Sequence, residues 1–250
     1  GRNSDAYLIA FLACSRAGLI HVPINFALTG AELDHLLTDS GASLVLADPG
    51  LAQHVRDIGT VTVLSLRDDE DSLLSEIDSA SGPVPHVPDP EVTESDLAQL
   101  LYTSGTTSAP KGAMMSHRAL VHEYFSAIVG IDMSADDDPI HAMPLYHSAG
   151  MHVWMMPYLA VGATNHLLET ADVAGILEQI EIRRAGAIFL APTVWVPLSQ
   201  HPDFTRRDLS TLRKATYGAS IMPGPILHRL RCALPHLGFY NGFGQSEIGP

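Results

Sequence analysis

The chain has 250 residues, 46% hydrophobic and 17% charged, and a formal net charge of −14. That length suits one large domain or two smaller ones with a sizeable core, and the balance is that of a globular rather than a disordered protein. The acidic excess argues against nucleic acid as the main partner, because a phosphate backbone needs a basic surface, but a local nest of N–H groups and one lysine can still hold a nucleotide. Cys14 and Cys232 are too few and too distant for a disulfide framework, so a reducing compartment is the default. The longest strongly apolar run, Ala6 to Cys14, is too short to span a bilayer, and no secretory signal is visible, which points to a cytoplasmic protein without a transmembrane segment. The chain begins at Gly1 without an initiator methionine and ends at Pro250 directly after a motif, so it reads as a piece of something longer.

In chain order, Ala6 to Ala17 reads as a buried helix closed by Gly18, and Leu19 to Val22 as a short strand ended by Pro23. Thr29 and Glu32 have the spacing of a capping box for a helix running to about Asp39, with Gly41 just beyond. Ser43 to Ala47 is an apolar strand of the kind found in a parallel sheet, Leu51 to Ile58 a helix, and Val61 to Leu64 a further strand. Arg67 to Pro90 is acidic, then proline-rich, and suggests an extended connection between two lobes, residues 1–90 and 91–250. Beyond it, strands are expected at Leu97 to Tyr102, Ala187 to Leu190, Lys214 to Tyr217 and Gly238 to Phe243. The helices between them are Ser116 to about Val129, Asp172 to Arg184, Pro192 to Ser199 and Pro223 to Leu234. This alternation indicates an α/β fold of doubly wound sheets with flanking helices, whose ligand loops lie at the carboxyl ends of strands.

The most informative of those ends is Tyr102 to Gly112, reading YTSGTTSAPKG. Thr103, Ser104, Thr106 and Thr107 offer hydroxyl donors, Gly105 and Gly112 allow close backbone approach, and Lys111 adds one mobile positive charge. Such a set can surround phosphate oxygens from several directions. It is not a Walker A loop, since Ala109 stands four residues after Gly105 and Lys111 is flanked by Pro110 and Gly112. The string resembles the phosphate-binding loop of the adenylate-forming (AMP-binding) superfamily, with Ser108 where that family usually has glycine.

A second segment closes the chain. Asn241, Gly242, Phe243, Gly244, Gln245, Ser246 and Glu247 combine an aromatic face, close backbone approach, a hydroxyl and a carboxylate. That combination suits adenine stacking, α-phosphate contact and Mg²⁺ ligation. It resembles the family's second nucleotide motif, with Phe243 replacing tyrosine and Ser246 replacing threonine. Tyr217, Gly218, Ala219 and Ser220 resemble the small-residue adenine loop, and Pro144 to Gly150 resembles the segment that brings His147 to the acyl site. No Asp or Glu lies between Asp138 and Glu169, so a substrate ammonium would have no partner there, which favours a plain carboxylic acid over an amino acid. Trp154, Met155, Met156, Trp195 and Val196 supply apolar surface for an alkyl or aryl chain. Thr193 to Leu212 resembles medium- and long-chain acyl-CoA synthetases.

The resemblance implies a truncated N-terminal domain of an acyl-CoA synthetase that uses ATP, Mg²⁺ and coenzyme A to activate a fatty or related apolar carboxylic acid. It allows a homodimer, and a fragment of this length alone is expected to be inactive in thioester formation. The implied catalytic groups are Lys111, Glu247 and His147, with Glu247 and Thr103 at the metal. ATP contacts fall on Thr103, Ser104, Gly105, Thr106, Thr107, Lys111, Gly218, Ala219, Ser220 and Asn241 to Ser246; acyl contacts fall on His147, Trp154, Trp195 and Tyr217. Related readings are an acyl-AMP ligase that passes the acyl group to a carrier protein, and a fragment that binds nucleotide without turnover. Structural zinc at His141, His147 and His152 lacks the spacing of a metal motif, and a serine hydrolase fails because Ile248 stands where Gly-x-Ser-x-Gly needs its last glycine.

Overall fold

The computed structural model describes residues 1–59, 61–68, 70–80, 90–103 and 109–247. Its contacts divide the chain into two units, Gly1–Ala119 and Leu120–Pro250.

In the first unit, helix α1 (Asp5–Arg16) starts at Ser4, whose side chain accepts from the Tyr7 N–H, and buries Ala6, Tyr7, Ala10 and Phe11 along one stripe. The strand expected at Leu19 to Val22 is reduced to a single bridge: His21 pairs with Gln99, donating to the Ala98 carbonyl and accepting from the Leu100 N–H. Pro23 has no N–H, so the ladder stops there. Helix α2 (Gly30–Ser40) follows Thr29, which makes no side-chain cap bond, so the expected capping box does not form; Gly41, left-handed at φ 65°, closes the helix. Strand β1 (Leu44–Ala47), helix α3 (Pro49–Arg56) and strand β2 (Thr62–Ser65) make a parallel β-α-β unit registered from Leu44 opposite Thr62 to Ala47 opposite Ser65. Leu33, Leu37, Val45, Ala47, Ala52 and Val55 form its core.

Where an extended connection was expected, Ser72 caps a short helix α4 (Leu73–Ser79), accepting from the Ser75 N–H; residues 81–89, which carry Pro83, Pro85 and Pro88, lie outside the described residues. Strand β3 (Leu97–Tyr102) pairs antiparallel with β4 (Gly112–Ser116), and helix α5 (His117–Ile131) follows with the Ser116 hydroxyl accepting from the Ala119 N–H. Cys14 on α1 is half-buried, and burial pushes its thiol pKa up.

The second unit is built on a five-stranded parallel sheet: β5 (Ile140–His141), β6 (His166–Leu167), β7 (Ala187–Leu190), β8 (Lys214–Tyr217) and β9 (Gly238–Asn241), in the spatial order β6-β5-β7-β8-β9. The order reverses between β5 and β7, the switch point at which doubly wound sheets open a crevice beyond their carboxyl ends. Between β5 and β6 run a π-helix (Ala149–Met155) and helix α6 (Met156–Ala160). The crossovers are α7 (Val173–Arg183), capped by Asp172; α8 (Pro192–Gln200), started by proline; and α9 (Gly224–Ala233), which carries exposed Cys232. Every residue of β7 is buried, as a central strand covered on both faces requires. The fold is the α/β arrangement of parallel sheets with flanking helices read from the sequence.

Both tryptophans sit in this unit, each 1% exposed, but in different layers. Trp154 packs with Tyr158, Ala187 and Phe189, while Trp195 packs with Ile188, Leu190 and Ala215. Alternate residues of β7 point to opposite faces, so the two indoles lie on opposite sides of the sheet.

At the amino ends of the strands, Asp137 is 1% exposed and fully engaged. It accepts from Lys214 Nζ at 2.9 Å, Tyr158 Oη at 3.1 Å, Arg213 Nη2 at 3.2 Å and the Ser134 N–H at 3.0 Å. Its carbonyl accepts from the Gly186 N–H at 2.8 Å, which ties the start of β7 to the same point. Burial raises the carboxyl pKa, but the bonds from Lys214 and the Ser134 N–H outweigh it and hold the group below the usual carboxylate range.

Candidate functional site

In the first unit the YTSGTTSAPKG segment joins two antiparallel strands, β3 and β4, so it is a strand–loop–strand element rather than the strand–loop–helix of a Walker A site. The Thr103 N–H donates to the Lys111 carbonyl at 3.0 Å, closing the base of the loop. Tyr102 Oη donates to Asp39 Oδ2 at 2.6 Å, and His35 Nε2 donates to the Pro110 carbonyl at 3.2 Å, so both ends of the loop are tied to α2. Gly112 packs closely here: a Cβ on it would lie 3.2 Å from the Tyr102 ring, which would have to shift by a few tenths of an ångström. Desolvation, then the Asp39 bond, push the Tyr102 phenol up to about 12, so it stays a donor at neutral pH. Lys111 is exposed. Ser104, Gly105, Thr106 and Thr107 lie outside the described residues.

In the second unit the carboxyl ends of β8 and β9 enclose a cavity of about 420 Å³. Its lining gathers Tyr217, Ala219, Ser220, Asn241, Gly242, Phe243 and Gly244, all singled out from sequence, together with Ile221 and Met222, which were not. Two backbone contacts bring its walls together at the base. The Gly242 N–H donates to the Tyr217 carbonyl at 2.8 Å, and Gly218 approaches so closely that a Cβ on it would lie 2.7 Å from the Gly242 carbonyl oxygen. Ala219 then takes φ +65°, a left-handed conformation uncommon outside glycine, and turns the chain away from the strand direction. Gln245, Ser246 and Glu247 continue beyond the lining, with Glu247 exposed and accessible to a ligand.

The segment Pro144 to Gly150 leaves the carboxyl end of β5, beside the switch point. The Ala149 N–H donates to His147 Nδ1 at 3.2 Å, which leaves the ring proton on Nε2. Desolvation lowers the His147 pKa, keeping the ring neutral near pH 7, although its exposed surface retains much of its hydration. Gly150 permits the turn into the π-helix, since a Cβ would meet the Pro144 carbonyl oxygen at 2.4 Å. Trp154 and Trp195, expected to line one acyl slot, are not brought together, because each is core on its own face of the sheet. Tyr217 does reach the cavity.

His141 and His152 have protein partners: His141 Nε2 lies 2.7 Å from Asn165 Oδ1, and His152 Nδ1 lies 2.9 Å from Tyr124 Oη. Among the described residues no group of three or more His, Cys, Asp or Glu side chains is placed to hold a metal ion, and no helix is long and apolar enough to cross a membrane.

The chain belongs to the family of AMP-binding enzymes, whose sequence pattern matches residues 1–250. It is 34% identical over 250 residues to a feruloyl-CoA synthase of Amycolatopsis sp, spanning 100% of this chain and 49% of that protein. It is 30% identical over 258 residues to an indoleacetate–CoA ligase of Aromatoleum aromaticum, spanning 100% of this chain and 50% of that protein. The chain therefore spans about half the length of these curated relatives. Among solved structures, ATP-bound MatB from Rhodopseudomonas palustris superimposes with a TM-score of 0.86 at 29% identity, over 99% of this chain and 49% of that one. The inhibitor-bound N-terminal domain of FACL13 from Mycobacterium tuberculosis gives 0.85 at 25% identity, over 98% of this chain and 61% of that one.

Proposed function

We propose that this chain carries the nucleotide- and acid-binding part of an ATP-dependent acid–thiol ligase. The reaction joins an apolar carboxylic acid to AMP with release of pyrophosphate, then passes the acyl group to coenzyme A. The cavity at the carboxyl ends of β8 and β9 carries this reading, because Gly218 lets the two strand ends approach closely beneath it and Phe243 offers an exposed aromatic ring to a flat base. The acid is aromatic rather than a fatty acid. The relatives named for feruloyl, 4-coumarate and indoleacetate groups support that choice over the fatty acid suggested by Thr193 to Leu212.

In the first step a carboxylate oxygen forms a bond to the α-phosphorus, and the bond from that phosphorus to the bridging oxygen breaks as pyrophosphate leaves. The obstacle is charge, since an anion approaches a polyanion. The loop hydroxyls and Lys111 offset it by donating to phosphate oxygens, with the largest effect on the departing pyrophosphate. The Glu247 carboxylate and the Thr103 hydroxyl are the groups we propose would hold Mg²⁺, which would supply neutralisation of phosphate charge. His147, neutral with its proton on Nε2, donates to the substrate carboxylate side and adds no charge that would hold the nucleophile back. In this reading Ser220 and Ser246 contact phosphate, Asn241 and Gln245 the base, and Tyr217 the acyl group. The test is a screen for acid-dependent pyrophosphate release by the complete protein, with ferulate, 4-coumarate, indoleacetate and hexadecanoate. Release with aromatic acids is expected, and it should be lost in Lys111→Ala and Glu247→Ala. Release with hexadecanoate alone would overturn the aromatic assignment, and release unaffected by either substitution would overturn the site.

A further inference from the structure

We infer that Tyr124 is a positioning residue for the reaction, fixing the orientation of His147 through His152 and the π-helix that carries it. The inference rests on the reading of His147 as the group beside the substrate carboxylate, and it adds a residue that no motif singles out. Tyr124 stands on α5, and its Oη lies 2.9 Å from His152 Nδ1. The two rings are stacked, 14° from parallel with centroids 5.9 Å apart, and His152 is 0% exposed. Burial, then the neighbouring Glu123, raise the Tyr124 pKa, so the phenol keeps its proton and donates to Nδ1. A directional bond and a stacked face together fix both the place and the plane of the His152 ring.

The path from His152 to His147 is short and runs through backbone. His152 follows His147 by five residues, the spacing of one i→i+5 turn, and π geometry recurs at functional sites. Between them Ala149, the first residue of the π-helix, donates its N–H to His147 Nδ1 at 3.2 Å. The Met151 N–H donates to the His147 carbonyl at 3.1 Å. Gly150 contributes no side chain to this corner, since a Cβ would meet the Pro144 carbonyl oxygen. The His147 ring therefore takes its orientation from the start of the π-helix, and a rotation of that helix moves the Nε2 proton away from the acid. A donor must be held within about 0.5 Å of its productive place, which is what the Tyr124 bond secures.

The test is steady-state kinetics of pyrophosphate release by the complete protein, with whichever acid releases most, arranged as a double-variant cycle. Tyr124→Phe keeps the ring and removes the hydroxyl. It should lower kcat/KM for the acid about three- to tenfold and change KM for ATP by less than about twofold. Because Tyr124 acts through His147, that loss should vanish in the His147→Ala background. His152→Asn keeps an acceptor near the place of Nδ1 and should retain most of kcat/KM, whereas His152→Leu should repeat the Tyr124→Phe loss. If His147→Ala is costly and Tyr124→Phe costs the same factor in both backgrounds, the positioning role is refuted while the His147 reading stands. No loss in Tyr124→Phe, or equal losses in the two His152 variants, would refute it as well. If His147→Ala loses nothing, the His147 reading falls and the positioning role falls with it.

Discussion

The two ends of the parallel sheet in the second unit are built on opposite principles. At the amino end, Asp137 is buried and draws donors from Lys214, Arg213, Tyr158 and the Ser134 backbone into one closed network. At the carboxyl end the polar groups around the cavity are mostly exposed, Ile221 and Phe243 face solvent, and glycine at 218 keeps two backbones in contact. One end satisfies its charges internally and holds the strands; the other leaves its surface for a ligand to complete. Stability and recognition are thus separated along the strand axis, and substitutions at the two ends should fail in different ways.

The largest expected effect is at the closed end. Among the described residues, Asp137→Ala leaves Lys214, largely buried, with only the longer 3.7 Å ion pair to exposed Asp132, and removing the buried partner should cost towards the lower end of about 3–5 kcal/mol. Because both tryptophans are buried in this unit, the loss is read as an earlier guanidinium midpoint in intrinsic fluorescence. A midpoint equal to wild type would dissolve the contrast.

Acid comes next. Burial lowers the His141 pKa to about 4, so the neutral ring is favoured in the fold. Its contribution is complete above the ordinary histidine pKa and is lost as pH falls from about 6.5 towards 4, on the order of 1–3 kcal/mol. The depressed Asp137 carboxyl adds a further loss only below the usual carboxylate range. Glu123, pushed up to about 8 by burial, contributes a gain of stability over the same interval. The His141 share is therefore read as the difference between wild type and His141→Gln in fluorescence-detected stability from pH 7 to 4. Wild type should lose more than the variant, and equal profiles would contradict the burial of His141.

At the open end, Gly218→Ala places a methyl group 2.7 Å from the Gly242 carbonyl oxygen, a backbone atom that cannot rotate away. It should cost about 1–3 kcal/mol of stability by overpacking, and weaken AMP binding more than any stability loss explains. Unchanged AMP affinity would separate the cavity from its glycine. The smallest effect is expected for Ala219→Gly. It relieves a left-handed alanine but frees the unfolded chain, so the net change should stay within about 1 kcal/mol.

What could be read from sequence follows the same division. Strands β3, β7 and β8 fall on the expected residues, β3 and β7 because each is a compact, mostly apolar run and β8 because its short run is bounded by clear breaks. Strand β4 was missed because Gly-Ala-Met-Met-Ser has no periodicity of its own and becomes a strand by pairing with β3. Strands β5 and β6, two residues each, are defined by their neighbours alone, and the π-helix at Ala149–Met155 carries no local signal distinct from an α-helix. The motif residues around the cavity were legible because small and aromatic residues cluster at strand ends. Ile221 was overlooked because an aliphatic residue in a turn has no motif, although its position one before the buried Met222 was the available signal. Asp137 drew no reading from sequence, since Lys214 and Arg213, its main ionic partners, lie more than seventy residues away along the chain.

The two cysteines are chemically unequal: Cys232 is exposed on α9 beside His228, whereas the Cys14 thiol is half-buried and harder to ionise. Thiolate is the species that alkylates, so a maleimide dye supplied at neutral pH should react first at Cys232. The protein therefore carries a natural attachment point for one fluorophore in the unit that also holds both indole donors. Energy transfer between them offers an optical readout of that unit's unfolding without any engineered residue.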